Sequence, residues 1–223
     1  AAEALVRGRL EDGTYLPPSS FVDIFEKNRF CSKLDFYMLK KAIQQIRKWI
    51  DMGINPVNIS VNQSKIVFYH ENYISELKSL LEEYNVSGSY ITLEVLESTV
   101  IEDIDIFNSI LTEVKKLGFS VSLDDFGSGY SSLNVLSKLQ IDELKIDRIF
   151  LHTKSEVDNQ RTKWILESII DIAKKSQILV VVEGVESKQD DLFIKNLGAD
   201  VGQGYFYGRP LSISAFNDLI ETK

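Results

Sequence analysis

The chain has 223 residues, of which 44% are hydrophobic and 26% are charged, and its formal net charge is −8 at pH 7. This composition is typical of a globular domain and excludes a fibrous or disordered protein. The acidic balance disfavours binding to long nucleic acids, which select basic surfaces, but a small phosphate ligand is compatible if metal ions reverse the local charge. No apolar run is long enough to span a membrane, and the N-terminal residues lack a signal-peptide core, so we expect a cytoplasmic protein.

Cysteine and histidine are too scarce for several common kinds of site. Cys31 is the only cysteine, and His70 and His152 are the only histidines. An intrachain disulfide and a cysteine-rich zinc site are therefore excluded, and a histidine-based metal or catalytic site is disfavoured. A single cysteine also fits the reducing environment of the cytoplasm.

Amphipathic runs of helical period alternate with short β-branched runs from residue 35 onward. Helices are predicted over residues 34–52, 72–84, 103–116 with Asp103 as N-cap, 131–139, 157–175, 188–197 and 214–221. Strands are predicted in VNISVN, over residues 90–95 and 119–125, and in ELKID, ILVVVEGV and DVGQGY. No linker rich in Pro, Ser or Gly divides the chain, so the alternation predicts one domain with a parallel sheet covered by helices. The length and the number of units favour a (β/α)8 barrel over an open doubly wound sheet.

Most of the predicted strands end in a side chain with an oxygen or nitrogen head group. These side chains belong to Asn62, Glu94, Asp124, Asp125, Lys145, Glu183 and Gln203. Because the carboxyl ends of barrel strands open on one face, we expect them to converge on one pocket. Clustered carboxylates need a cation, and oxygen ligands without histidine or cysteine suit Mg²⁺ or Mn²⁺. Two such ions, with Lys145 binding a phosphoryl oxygen or orienting the attacking water, would support metal-dependent phosphoester chemistry.

Each of these residues also has a purely structural interpretation. A surface ion pair would explain Glu94 or Glu183 taken alone, and a solvated surface position would explain Lys145. The adjacent aspartates would suit the start of a turn, and Asn62 would suit a helix cap. The recurrence of polar groups at successive strand ends favours a shared site.

An ordered series of motifs resembles the EAL-domain family, whose members hydrolyse the bacterial second messenger c-di-GMP. The motifs are EALVR at residues 3–7, ISVNQS, LEVLES, SLDDFGSGYSSL, LKIDR, VVEGVE and GQGYFYGRP, and they cover nearly the whole chain in the family's order. The resemblance implies a TIM-like (β/α)8 barrel. It also implies metal-dependent hydrolysis of one phosphodiester bond of c-di-GMP to linear pGpG, with two Mg²⁺ or Mn²⁺ ions in the active state.

The resemblance further implies a role for each matched residue. One metal ion would be bound by Glu3, Asn62, Glu94 and Asp124, and the second would share Asp124, Asp125 and Glu183. Catalytic roles fall on Asp125, Lys145, Glu183 and Gln203, of which Lys145 and Gln203 would position the nucleophilic water. The dinucleotide would contact Leu5, Arg7, Asp147, Arg209 and Pro210, and Glu97 would hold the DDFGSG loop.

Partners and further segments are implied in the same way. The resemblance implies a homodimer through the loop of residues 124–132, and upstream sensor or GGDEF-type domains in a longer signalling protein that could carry a membrane anchor. Members of the family have a YQPI-type strand ahead of the EAL motif, and this sequence starts after that position. We therefore expect residues 1–223 to form an EAL-type domain without its first strand.

Three positions depart from the family pattern. Leu96 replaces the threonine of the ExTE motif, Ser128 replaces the threonine of DDFGTG, and Gly8 replaces an aromatic residue, which predicts weaker stacking on a guanine. Two other functions stay open: an inactive c-di-GMP receptor, and a dimerising scaffold that binds no c-di-GMP. Receptors of this type lack metal ligands, whereas those that can be placed are present here, which favours the enzyme.

Overall fold

The computed structural model describes residues 1–97, 104–128, 133–151 and 156–221. The chain forms two compact units. One consists of Ala1–Val95 with Ile106–Val121, and the other of Leu96–Asp105 with Ser122–Lys223. Parallel strands alternate with helices in each unit, as the hydrophobic pattern predicts.

The first unit carries three parallel strands, in the order β1-β4-β5, and a small hairpin. The parallel strands are β1 (Ala2–Glu3), β4 (Ile59–Gln63) and β5 (Ile91–Leu96), and the antiparallel hairpin pairs β2 (Gly8–Arg9) with β3 (Tyr15–Leu16). The helices are α1 (Val22–Lys27), α2 (Cys31–Asp51), α3 (Lys65–Phe68), α4 (Tyr73–Tyr84) and most of α5 (Ile104–Lys116). Helix α2 packs against β4, α3 and α4.

The second unit carries four parallel strands in the order β6-β7-β8-β9. They are β6 (Ser120–Phe126), which begins in the first unit, β7 (Glu143–Ile146), β8 (Leu179–Val182) and β9 (Val201–Gly202). The helices are α6 (Leu133–Lys138), α7 (Glu156–Lys175), α8 (Lys188–Leu197) and α9 (Ile213–Glu221). Helix α8 begins with a capping box, in which Ser187 and Asp190 bond to each other's backbone N–H.

The predicted elements from residue 34 onward are confirmed to within a few residues at their ends. The proposed N-cap Asp103 lies outside the described residues, and of DVGQGY only two residues are strand. None of the described helices is both long enough and apolar enough to cross a bilayer. Hydrophobic side chains of β4 to β8 fill the two cores, including Val61, Leu93, Leu144 and Val182, which are fully buried.

The buried face of helix α2 contains one acidic residue, Asp35, among side chains that are apolar except for Gln45. The buried side chains follow the helical repeat and are Cys31, Asp35, Leu39, Ala42, Ile43, Gln45, Ile46 and Trp49. Both the backbone N–H and the hydroxyl of Ser64 donate to Asp35 Oδ2, at 2.9 and 2.5 Å. Burial raises the pKa of Asp35 to about 6, although the two Ser64 donors oppose the rise. The burial of the Asp35 carboxylate is unfavourable, but its two hydrogen bonds fix the position of Ser64 between the end of β4 and the start of α3.

We expect Asp35→Asn to become more stable relative to the wild type as pH rises. The pKa of Asp35 is raised from 3.8 to about 6, so its contribution to stability is complete below 3.8 and is lost as pH rises through about 6. Asparagine does not titrate. Between about pH 4 and pH 7, the difference in unfolding free energy between the two proteins should shift on the order of 2 to 3 kcal/mol towards the variant.

Urea unfolding at the two pH values measures this shift. Asp23→Asn is the matched control, because Asp23 is an exposed aspartate on helix α1. The control should show little change with pH. A difference for Asp35→Asn that stays constant over this range would contradict the burial of its carboxylate.

Candidate active site

Strand β6 ends in a bulge formed by two adjacent aspartates. Leu123 pairs with Leu144 and Phe126 pairs with Ile146, so Asp124 and Asp125 together lie opposite the single residue Lys145. In a regular strand neighbouring side chains point to opposite faces, whereas a bulge re-aims one of them. The backbone of Asp125 has φ 56, in the left-handed region that aspartate tolerates better than most residues.

The bulge brings three carboxylates together in the second unit. One oxygen of each of Asp124, Asp125 and Glu183 lies within 4.8 Å of the others. Asp124 is buried, and the other two are half-buried. Among the residues that the structure describes, this is the one group of three or more acidic, histidine or cysteine side chains placed to hold a metal ion. The predicted convergence of these three strand-end acids is confirmed.

Lys145 lies inside this cluster. Its side chain is only 2% exposed, and its Nζ lies 3.3 Å from Asp124 Oδ1 and 2.8 Å from Glu183 Oε1. The alternative of a solvated surface lysine is therefore wrong. One ammonium group offsets only part of the charge of three carboxylates, so the cluster keeps an excess of negative charge. An all-oxygen donor set with excess negative charge fits a hard divalent cation.

The first unit brings three other predicted ligands to the ends of its parallel strands. Asn62 and Glu94 are register partners on β4 and β5, and Asn62 Nδ2 donates to Glu3 Oε1 at 3.1 Å. Glu94 is 1% exposed, which rules out a surface ion pair. Asn62 is not a helix cap either, because Ser64 occupies the N-cap position of α3. The oxygen groups of these side chains would also suit a hard cation.

Gln203 follows β9, and its backbone is hydrogen-bonded on both sides of Glu183, the residue that follows β8. Its N–H donates to the Val182 carbonyl at 2.9 Å, and its carbonyl accepts from the Val185 N–H at 3.0 Å. Gln203 therefore lies alongside the end of β8, as the strand-end pattern predicts.

The residues predicted to contact substrate differ in their surroundings. Leu5, Arg7, Arg209 and Pro210 are exposed. The Arg7 guanidinium donates to the Val6 carbonyl at 2.8 Å, and the Arg209 guanidinium lies 4.6 Å from the centre of the Tyr205 ring. Asp147 has a structural contact, because its carboxylate accepts from the Ile149 N–H at 2.7 Å and caps a short 3-10 helix, Arg148–Phe150. Their substrate contacts stay predictions.

The loop after β6 is described only at its start. Gly127 has φ 97, and a Cβ at this position would collide with the Phe150 ring, so glycine permits the close packing. Glu97 is buried, but residues 129–132 lie outside the described part of the chain. The predicted roles of Glu97 in holding this loop and of residues 124–132 in dimerisation therefore stay predictions.

Two acidic residues near these sites were not predicted. Asp35 could have been found as a charge at an apolar position of the helical repeat. Glu143 lies two residues before Lys145 on β7, where alternation places its side chain on the same face. Burial raises the pKa of Glu143, while the Ser122 hydroxyl and Lys145 lower it.

The family model for the EAL domain matches residues 1–210. The chain belongs to the EAL-domain family. It is 33% identical to the bifunctional diguanylate cyclase/cyclic di-GMP phosphodiesterase MucR of Pseudomonas aeruginosa, over 94% of this chain and 30% of MucR. It is 32% identical to the cyclic di-GMP phosphodiesterase PdeR of Escherichia coli, over 96% of this chain and 32% of PdeR. The chain thus spans about a third of the length of these curated relatives.

A solved structure supports the fold assignment. The PaMucR phosphodiesterase in complex with c-di-GMP superposes with a TM-score of 0.87 at 32% identity, covering 96% of this chain and 86% of that one. The predicted fold class, a TIM-like (β/α)8 barrel of the EAL type, is confirmed by this likeness and by the family match.

Asp125 offers a test that separates metal binding from backbone conformation. Asp125→Asn removes one charge but keeps a residue that tolerates φ 56, whereas Asp125→Ala removes the same charge and adds roughly 1 kcal/mol of backbone strain. Both variants should bind Mn²⁺ more weakly than the wild type, by at least the roughly tenfold that loss of a supporting group costs a metal site. Only Asp125→Ala should also lose stability.

Calorimetric titration with Mn²⁺ and urea unfolding measure the two effects. Asp171→Asn, on the exposed face of α7, is a charge-matched control that should leave both unchanged. Equal Mn²⁺ affinity in the wild type and both Asp125 variants would exclude this carboxylate as a ligand.

Proposed function

We propose that the chain hydrolyses one phosphodiester bond of c-di-GMP to linear pGpG and so ends a second-messenger signal, using two Mg²⁺ or Mn²⁺ ions. The observation that carries the proposal is the buried Lys145 between Asp124 and Glu183, with Asp125 added by the bulge. The names of MucR and PdeR and the c-di-GMP complex of PaMucR support the substrate. The excess of carboxylates over lysine supports a need for cations.

The proposed metal ligands are acidic or amide side chains throughout. Asp124, Asp125 and Glu183 would hold a cation in the second unit, and Glu3, Asn62 and Glu94 are proposed as ligands in the first. When bound, a divalent cation lowers the pKa of a coordinated water and offsets charge on the reacting phosphate. The bulge presents the carboxylates before any ion arrives, so little reorganisation is needed on binding.

Lys145 is proposed to act on the phosphate directly. Asp124 and Glu183 hold its ammonium group, which is withdrawn from solvent. A fixed positive charge in a buried site stabilises charge that develops on a phosphoryl oxygen or on the attacking water. Gln203, anchored at the end of β8, is proposed to orient the same water.

Binding of the dinucleotide is assigned to four exposed residues near the two ends of the chain and to the half-buried Asp147. Arg7 is proposed to contact a phosphate, with Leu5, Arg209 and Pro210 as further contacts and Asp147 through its remaining carboxylate oxygen. Gly8 offers no ring for stacking. The proposed assembly is a homodimer through residues 124–132, in a cytoplasmic domain joined to sensor or GGDEF-type domains of a longer protein.

Turnover of c-di-GMP by the purified protein is the direct test. Product pGpG, separated by chromatography, should form with Mg²⁺ or Mn²⁺ and should be abolished by EDTA. Asp124→Asn should lose at least about a hundredfold in kcat, because it removes both a ligand and a partner of Lys145. An Asp124→Asn protein with full turnover would refute the assignment, and c-di-GMP binding without turnover in the wild type would indicate a receptor.

Lys145→Met should affect catalysis and metal binding in opposite directions. Methionine fills a similar volume without charge, so kcat should fall about 100- to 1,000-fold, as for loss of one transition-state donor. Affinity for Mn²⁺ should stay equal or rise, because the ammonium no longer competes for Asp124 and Glu183. Steady-state kinetics and Mn²⁺ titration give the two values. A parallel loss of Mn²⁺ affinity and kcat would show that Lys145 acts only by maintaining the site.

A further inference from the structure

The segment of residues 203–209, here called the aromatic segment, leaves β9 in a tight turn. Its first half is fixed by backbone bonds: Gln203 bonds to Val182 and Val185, and the Phe206 N–H donates to the Val185 carbonyl at 3.0 Å. The N–H groups of Tyr207 and Gly208 both donate to the Gly204 carbonyl, at 3.1 and 3.3 Å. These last bonds lie within the segment, so they do not anchor its second half to the rest of the unit.

One side chain anchors that second half to helix α8. The Tyr207 hydroxyl donates to Asp191 Oδ1 at 2.5 Å, and Lys195 Nζ donates to Asp191 Oδ2 at 2.9 Å. Asp191 is 7% exposed, so its carboxylate is shielded from solvent, and a short bond to a charged acceptor is among the stronger hydrogen bonds in proteins. Partial burial and the hydrogen bond to the Asp191 carboxylate raise the pKa of Tyr207 to about 12, so the hydroxyl keeps its proton at neutral pH although the residue is 50% exposed.

The place that the Tyr207 ring occupies depends on the absence of a side chain in β9. A Cβ on Gly202 would collide with the Tyr207 hydroxyl and would lie 2.8 Å from Ile194 Cδ1. The ring therefore fits between the end of β9 and helix α8 only because residue 202 is glycine. The close contact with Gly202 and the hydrogen bond to Asp191 therefore favour the same position of the Tyr207 side chain.

The aromatic segment carries residues assigned to the reaction. Gln203 stands at its start, and Arg209 lies over the Tyr205 ring at its end. Tyr205 is 56% exposed, so this stacked pair is presented to solvent by the segment rather than buried in the core. The orientation of the pair depends on the conformation of the segment that carries it.

We propose that Tyr207 and Asp191 are positioning residues, and that their hydrogen bond holds the aromatic segment in the conformation that binds the dinucleotide. This inference rests on the proposed function. Without the hydroxyl, the segment populates other conformations, and the apparent affinity falls in proportion to the fraction that is competent. The proposed metal ligands Asp124, Asp125 and Glu183 lie at the ends of β6 and β8, and the backbone bonds of Gln203 beside Glu183 do not involve Tyr207. Cation binding should therefore be independent of the Tyr207 bond.

Tyr207→Phe is the central variant, because it removes the hydroxyl and keeps the ring against Gly202. The KM for c-di-GMP should rise about three- to tenfold, as expected for the net contribution of one typical hydrogen bond on a half-exposed side chain, while kcat changes less than about twofold. Mn²⁺ affinity should not change. Tyr37→Phe is the matched control, because Tyr37 is 55% exposed on α2, and it should behave as the wild type.

Hydrogen exchange of the ligand-free protein tests the bond without substrate or metal. Amides of residues 203–210 should exchange faster in Tyr207→Phe than in the wild type and in Tyr37→Phe. Asp191→Ala, which removes the acceptor of the Tyr207 hydroxyl, should produce the same changes, and the double variant should not exceed Asp191→Ala, because both substitutions break one bond.

The outcomes separate this inference from the proposed function. Unchanged exchange in Tyr207→Phe, or additive effects in the double variant, would overturn the positioning role. A loss of kcat with no change in KM would also overturn it. Faster local exchange in Tyr207→Phe, in a protein that neither binds nor hydrolyses c-di-GMP, would refute the proposed function and the link to the dinucleotide while confirming that the bond holds the segment.

Discussion

The buried ammonium group of Lys145 is the interaction on which the second unit's site depends. A charge removed from water costs several kcal/mol unless close partners compensate, and here carboxylates from the two neighbouring strands do so. The lysine in turn reduces the repulsion between those carboxylates. The carboxyl ends of β6, β7 and β8 are therefore joined by electrostatics as well as by backbone hydrogen bonds, and the site is organised in the absence of substrate.

The backbone around this interaction is locally unfavourable and is held by its neighbours. A left-handed aspartate at a strand end persists only where surrounding contacts determine its position. Here the Asp147 N–H donates to the Phe126 carbonyl at 3.2 Å, and Gly127 packs closely against Phe150. In the first unit the unfavourable group is the buried carboxyl of Asp35, which is held by two hydrogen bonds from Ser64. Each unit thus has a locally unfavourable group close to the proposed site residues, and such local destabilisation is common at functional sites.

Much of the fold could be predicted because hydrophobic periodicity reports burial directly. Helix α8 was predicted at its observed bounds, and polar residues at strand ends identified Asp124, Asp125 and Glu183 as one cluster. The short strands and hairpin before residue 30 give no such period, since two-residue strands are too short to alternate. The bulge was not predicted either, because its cause is a mismatch in pairing with β7, which is a tertiary property. Likewise, nothing local in sequence links Tyr207 to Asp191.

The bulge in β6 also bears on how such domains change over time. It consists of one residue more on β6 than on β7 between two paired positions. Deletion of a single codon there would restore ordinary pairing and leave one acidic group facing Lys145, with the sheet otherwise unchanged. Loss of the three-carboxylate cluster is then one short genetic step, whereas regaining it requires an insertion at one particular place. Domains of this architecture should therefore lose the bulge more readily than they regain it.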